Sequence, residues 1–325
     1  MPDIIGASLA GCAAALELLR AGQTVTLYEK SKFPRHKVCG EFLDPAAVRL
    51  LSEVRLEGAA IRESALIWPT AEQRFALPEP ALGISRYRLD QVLLDAAVER
   101  GATLIRTSGK PHPRAIVAHG RKPVSQRGQR YFGYKAHFSG RTNAAVELYF
   151  QDAGYTGVNP IEDGLTNVCG IAREEELTAV GFSGDRWVAS QAKLAARLDG
   201  LERKMDWIFT GPLFYGPTEA STGYLCGDAL SFVDPFTGSG MLCAVATGQL
   251  AARSVLEGRS SEQHLNECRR LLLPSFRWST LMRRALAWPF IPNLARLLPG
   301  PLLYRLSRPS PEKFEWRNSQ SPPRL

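Results

Sequence analysis

The segment Ile4-Ile5-Gly6-Ala7-Ser8-Leu9-Ala10-Gly11 limits what this chain can fold into more than any other. Two β-branched residues run into a glycine, and Ala10 to Leu19 is a helix-forming run with apolar spacing that stops at Ala21-Gly22. Val25, Leu27 and Tyr28 then alternate in a short strand ending at Glu29. This is a βαβ opening, in which the first glycine makes a tight turn and the last lets helix and strand touch. A helix N-terminus behind such a turn offers unpaired N–H groups and the positive end of its dipole to an anion. Gly6, Ser8 and Gly11 are therefore candidates to line a dinucleotide pyrophosphate. Glu29, 18 residues past Gly11, is the candidate for the ribose hydroxyls. Ser8 stands where a glycine is usual; its hydroxyl can donate to phosphate, while its Cβ narrows the approach.

Two further stretches carry chemistry. Phe33-Pro34-Arg35-His36-Lys37-Val38-Cys39-Gly40-Glu41 is a basic, turn-forming loop directly after the second strand, readable on its own as a solvated loop. Gly227-Asp228-Ala229 follows a short strand, and Asp234-Pro235-Phe236-Thr237-Gly238-Ser239-Gly240-Met241 enters a helix at about 240–256. An Asp at a strand end can hold a sugar hydroxyl, and a glycine-rich loop opening a helix offers N–H groups to a group that gains negative charge. Two helix N-termini aimed at one ligand imply two separate demands on charge. A flavin dinucleotide makes both, through its pyrophosphate and through a ring edge that becomes anionic on reduction.

Taken in order, these segments resemble the group of FAD-dependent oxidoreductases that includes aromatic-ring hydroxylases of the para-hydroxybenzoate hydroxylase fold, geranylgeranyl reductases and flavin halogenases. The loop at 33–41 is similar to the Phe-Pro-Arg-x-Lys-x-Cys-Gly signature of the reductase branch. Gly227-Asp228 with Asp234-Pro235 and Gly238-x-Gly240-Met241 resembles the second FAD motif, and Arg86-Tyr87-Arg88-Leu89-Asp90 the helix whose arginine reaches the cofactor. The resemblance implies FAD as cofactor, with NADPH or NADH as a transient reductant. It places Gly6, Ser8 and Gly11 at the pyrophosphate, Glu29 at the adenosine ribose, Arg88 on the phosphate or ribitol side, and Asp228 on the ribitol–pyrophosphate stretch. Gly238, Gly240 and Met241 would lie near the pyrimidine edge, with Pro235 close to the ring. Spacing assigns no catalytic acid or base; Cys39 is the proton donor that the reductase resemblance points to. The chain departs from the family pattern in its short first strand, in Ser8, in His119 where Ala-Asp-Gly-Arg is usual, and in a β-meander compressed into Thr107 to Ile116.

The implied fold class is α/β: a Rossmann-like FAD-binding domain (1–55, 84–122 and 216–265) interleaved with an antiparallel β-sheet substrate domain (56–83 and 123–215), plus a C-terminal helical, basic segment (266–325). Residues 131–172 read as paired strands turning at Glu162-Asp163-Gly164, and 88–100 as a helix. The 325 residues, 45% hydrophobic and 22% charged, supply material for about two such domains. The formal charge of +8 belongs to the tail: residues 268–325 hold 11 basic and 2 acidic residues. Arginines there stand among Trp and Leu on short, proline-broken helices. That pattern suits an anionic membrane surface or the mouth of a lipophilic pocket, or a helical layer packed on the flavin domain. No recognition motif for nucleic acid accompanies the charge. Six cysteines without Cys-x-x-Cys or His spacing exclude a zinc site, so no metal is expected. No stretch is apolar enough to span a bilayer, which makes the expected location cytoplasmic or peripheral to the membrane. The function expected is an FAD-dependent oxidoreductase, monooxygenase or reductase, acting on a hydrophobic small molecule such as a polyketide, an aromatic or an isoprenoid. The alternatives are a non-catalytic FAD- or ligand-binding descendant and an NAD-type dehydrogenase using only the first fingerprint.

Overall fold

The computed structural model describes residues 2–121, 130–151, 154–213, 216–217, 222–232, 238–286 and 300–306. The first part of the chain forms β1 (Asp3–Ile5), α1 (Leu9–Arg20), β2 (Thr26–Tyr28), β3 (Phe42–Leu43), α2 (Pro45–Leu50), β4 (Ala59–Ile67), β5 (Glu72–Gly83), α3 (Arg86–Glu99), β6 (Thr103–Ile105) and β7 (Ile116–Val117). The middle forms β8 (Tyr131–Ser139), β9 (Ala145–Gln151), β10 (Gly154–Pro160), β11 (Leu165–Arg173), α4 (Glu174–Ala179), α5 (Gly184–Ala189), α6 (Ala192–Leu198), β12 (Glu202–Arg203) and β13 (Ile208–Leu213). The last part forms β14 (Gly216–Pro217), β15 (Tyr224–Leu225), β16 (Ser231–Phe232), α7 (Gly240–Leu256), α8 (Ser261–Leu286) and α9 (Gly300–Leu306).

Five strands form a parallel sheet in the order β15-β7-β1-β2-β6. Its core helix α1 is apolar almost all round, as a helix with little water-facing surface must be, and its one buried acid, Glu17, is paired with Arg253 and Arg20. Leu9 through Leu18 are all buried, and the helix's apolar side chains pack among residues of α2, α3 and α7. The second sheet runs β12-β8-β11-β10-β9-β4-β5-β3, with β13 also pairing β8. Alternation along β8 sends Tyr134, Ala136 and Phe138 toward the residues of α4, α5 and α6, while Lys135 and His137 point to the opposite face. The expected turn at Glu162-Asp163-Gly164 joins β10 and β11, with Asp163 and Gly164 both at positive φ.

Two expectations are corrected. The large sheet is mixed, because β4 and β9 pair in parallel from Glu63↔Ala145 to Ile67↔Tyr149. Parallel neighbours need a long crossover, and the excursion of residues 84–121 through the other sheet supplies it. The tail is not made only of short helices: α8 runs for 26 residues across Pro274 and buries Cys268 and Leu272 against Leu225, Leu230, Cys243 and Leu250. Residues 287–299 and 307–325, with much of the arginine-rich tail, lie outside the described residues. Among the described residues, no helix is long and apolar enough to cross a membrane.

Candidate cofactor and substrate site

The glycine turn is shaped by contact as much as by conformation. Gly6 adopts φ +102°, and a Cβ there would overlap the Ala118 carbonyl; a Cβ on Gly11 would overlap the Gly6 carbonyl. Gly11 is thus the point where α1 meets β1, behind the turn, while Gly6 and Ser8 line the cavity in front of it. Glu29, buried at the end of the strand region, accepts from the amides of Ala7 (3.1 Å) and Ser31 (2.8 Å) and also faces the cavity. Its carboxylate therefore fixes the turn from one side while standing at the edge of the groove.

Ser8 begins α1 without capping it. Its Oγ donates to Asp90 Oδ2 (2.9 Å) and accepts from Lys37 Nζ (2.6 Å) and Arg86 Nη2 (2.7 Å). Lys37 and Arg86 also bond the fully buried Asp90 carboxylate, at 2.7 and 2.8 Å. Burial opposes ionisation of Asp90, yet Arg86 and Lys37 hold its carboxyl below the usual range. Burial and the neighbouring Arg86 push Lys37 down to about 8. Two cations against one carboxylate leave positive charge at a helix N-terminus, the arrangement that suits a diphosphate. The serine that replaces a glycine is thus held by this cluster.

The structure separates the two arginines of α3. Arg88 is not among the cavity-lining residues; its guanidinium bonds Asp163 (2.5 Å) and lies 3.9 Å from Glu162. Arg86 lines the cavity in its place. Ser85 caps α3 by accepting from the Arg88 amide, so Arg86 and Asp90 share a turn of one face and Arg88 points away.

From the other end of the chain, Asp228, Gly238, Gly240 and Met241 reach the same cavity, so both helix N-termini, of α1 and α7, open onto it. Burial pushes the Asp228 carboxyl above the usual range, against the pull of Arg86, Arg121 and Lys37. Pro235, with Asp234, lies outside the described residues. His119 also lines the cavity; its Nδ1 is 2.7 Å from the Gly120 carbonyl and its buried Nε2 has no partner among the described residues.

Sequence reasoning missed a second polar cluster. Glu41 is fully buried at φ +52° and accepts from the Arg86 amide (2.7 Å), from His137 Nε2 (2.7 Å) and from the fully buried ammonium of Lys135. Burial opposes its ionisation, but His137 and Lys135 keep its carboxyl below its ordinary value. His36 stacks on Tyr87 (4.6 Å) and meets His137 edge-on (5.2 Å). Burial, Lys135 and His137 lower its pKa. Cys39, the thiol singled out by resemblance, lies in the cavity wall with its sulfur 3.5 Å from the Glu41 amide. No group of three or more His, Cys, Asp or Glu that could hold a metal ion occurs among the described residues.

The cavity measures about 1050 Å³ and continues past these groups onto the inner face of the nine-stranded sheet, where Leu66, Phe75, Leu148, Tyr155 and Ile171 line it. Pockets for single small molecules usually span about 300–1,000 Å³, so this one stands at the top of that range and joins the glycine turn to the apolar sheet face. The glycine cradle, the basic cluster at the α1 N-terminus and the α7 N-terminus fit FAD.

The fold, a Rossmann-like parallel sheet beside a mixed sheet, is shared with solved flavin-dependent halogenases. The solved structure of the flavin-dependent brominase Bmp2 superposes with TM-score 0.77 at 18% identity, covering 94% of this chain and 92% of that one. A flavoprotein/dehydrogenase from Cytophaga hutchinsonii superposes with TM-score 0.74 at 18% identity over 94% and 92% of the two chains. The flavin-dependent halogenase CmlS does so with TM-score 0.72 at 20% identity over 95% of this chain and 67% of that one. No family model matches the sequence. Menaquinone reductase of Mycolicibacterium smegmatis is 29% identical over 116 residues, 31% of this chain. The match spans 27% of the length of that curated relative.

Proposed function

We propose that this chain is an FAD-dependent oxidoreductase acting on a hydrophobic small molecule such as a polyketide, an aromatic or an isoprenoid, with NADPH or NADH as transient electron donor. The observation that carries the reading is the single cavity that begins between two helix N-termini and ends on an apolar sheet face. Bound FAD would supply two-electron transfer between donor and substrate, or activation of oxygen. Gly6, Ser8, Lys37 and Arg86 would hold its diphosphate, Glu29 its ribose, and the amides of Gly238, Gly240 and Met241 its ring edge. Asp228, kept toward its neutral form by burial, would donate to or accept from the linking polyol. The apolar face would keep water from the reacting atoms while positioning the substrate.

Reduction is favoured over oxygenation by the loop at 33–41 and by the partial match to a menaquinone reductase. The test is direct. Purified protein should be yellow, or become so with added FAD, absorbing near ~450 nm. NADPH or NADH should bleach it without oxygen, and a quinone or isoprenoid acceptor should restore the colour. Restoration only by oxygen, with substrate hydroxylated, would replace the reductase by a monooxygenase. Binding without bleaching would favour a non-catalytic descendant, and a chain that takes up no FAD would end the proposal.

A further inference from the structure

The cavity face of the nine-stranded sheet changes character along its width. Following paired residues across the strands, it runs Lys135, Cys169, Gly157, Leu148, Leu66, from a buried cation to aliphatic side chains. The polar end adjoins Glu41 and the loop carrying His36 and Cys39; the apolar end meets Phe75 on β5 and Tyr304 on α9. A site polar at one end and aliphatic at the other fits a molecule of the same build, with a polar ring and a hydrocarbon tail.

Phe75 and Tyr304, which line the aliphatic end, are each held in place. Gly300 packs so tightly on the Phe75 ring that a Cβ there would overlap it. The Tyr304 hydroxyl donates to Asp44 Oδ2 (3.1 Å), and Asp44 is itself held by capping α2 through the Ala46 amide (2.9 Å). The Tyr304 ring packs with Phe42, Ile61, Leu77 and Ala81, so it has little freedom to swing aside.

We propose that Tyr304 and Phe75 form an end stop that sets how long a hydrocarbon tail the substrate can carry. The inference rests on the reading of the cavity as a flavin and substrate site. The probes are 2-alkyl-1,4-naphthoquinones of stepwise increasing chain length, titrated into the full-length, FAD-loaded, oxidised protein and followed by perturbation of the flavin spectrum. Each methylene that enters the cavity should tighten binding about fourfold, up to a chain length at which the gain ceases. Tyr304→Ala should move that limit to longer chains, and Tyr304→Trp to shorter ones. A limit at the same length in all three proteins, or no limit in any, overturns the end stop. A native chain without a flavin spectrum overturns instead the reading on which it rests.

Discussion

Replacing Glu41 by Gln removes a charge while keeping size, shape and the tolerance for a left-handed φ of +52°. What remains is the Lys135 ammonium, fully buried, with the Lys37 carbonyl at 3.2 Å as its other acceptor. Removing one partner of a buried ion pair costs about 3–5 kcal/mol. The surviving carbonyl contact and the acceptor oxygen of Gln place the loss at the lower end, about 3 kcal/mol. With an unfolding slope of ~3 kcal/mol per molar urea, the midpoint at neutral pH should fall by about 1 M. Removing the stranded ammonium as well, in Glu41→Gln/Lys135→Met, should return most of that loss, because an apolar replacement of a buried pair is close to neutral. The pH dependence has a definite sign. The Glu41 carboxyl is held below its ordinary 4.5 in the folded chain, so its contribution is complete above that pH and fades as pH falls below it. The gap between native and Glu41→Gln proteins should close on acidification. A loss under ~1 kcal/mol, or a double variant no more stable than the single one, would refute the argument.

Three further outcomes are expected. Arg86→Ala should weaken FAD binding about 10- to 100-fold, the value of a charge-assisted hydrogen bond, while Arg88→Ala leaves it nearly unchanged; equal losses in titration calorimetry would return Arg88 to the site. Lys37 loses its proton near pH 8, and a bound diphosphate favours the protonated form. FAD affinity should therefore hold below that pH and decline above it by up to about tenfold per unit; a Lys37→Met protein showing the same decline would contradict this. Gly11→Ala forces α1 away from β1 against backbone atoms, at about 3 kcal/mol or more. It should lower the melting temperature and release FAD; a protein that melts and binds as the native chain does would show that the turn has slack.

The dinucleotide turn was legible because its requirements are local. Gly6, Gly11 and Glu29 sit within one βαβ unit, and each is demanded by a contact inside that unit. The resemblance named Arg88, but two arginines stand two residues apart on α3, and Arg86 is the one that lines the cavity. Two residues turn a helix by about 200°, so a motif carried over two positions along lands on the opposite face, where Arg88 meets Asp163. The Glu41 cluster left no sequence signal. Lys135 and His137 lie 94 and 96 residues from Glu41, and a lysine within an aromatic strand reads as a solvent-facing position until a second layer covers that face. The parallel pairing of β4 with β9 was hidden for a related reason: strand direction depends on the path between strands, which alternation does not encode.

The path of the chain has a consequence for how the molecule comes into being. β1, β2, β6 and β7 are drawn from the first 117 residues, but the fifth strand and α7 arrive only after the mixed sheet has been laid down in between. A nascent polypeptide leaving the ribosome therefore has most of its nucleotide cradle long before the segment that completes it. Contacts of such wide sequence separation form slowly and leave unpaired edges exposed meanwhile. The parallel sheet can close only once residues from both ends of this span have met.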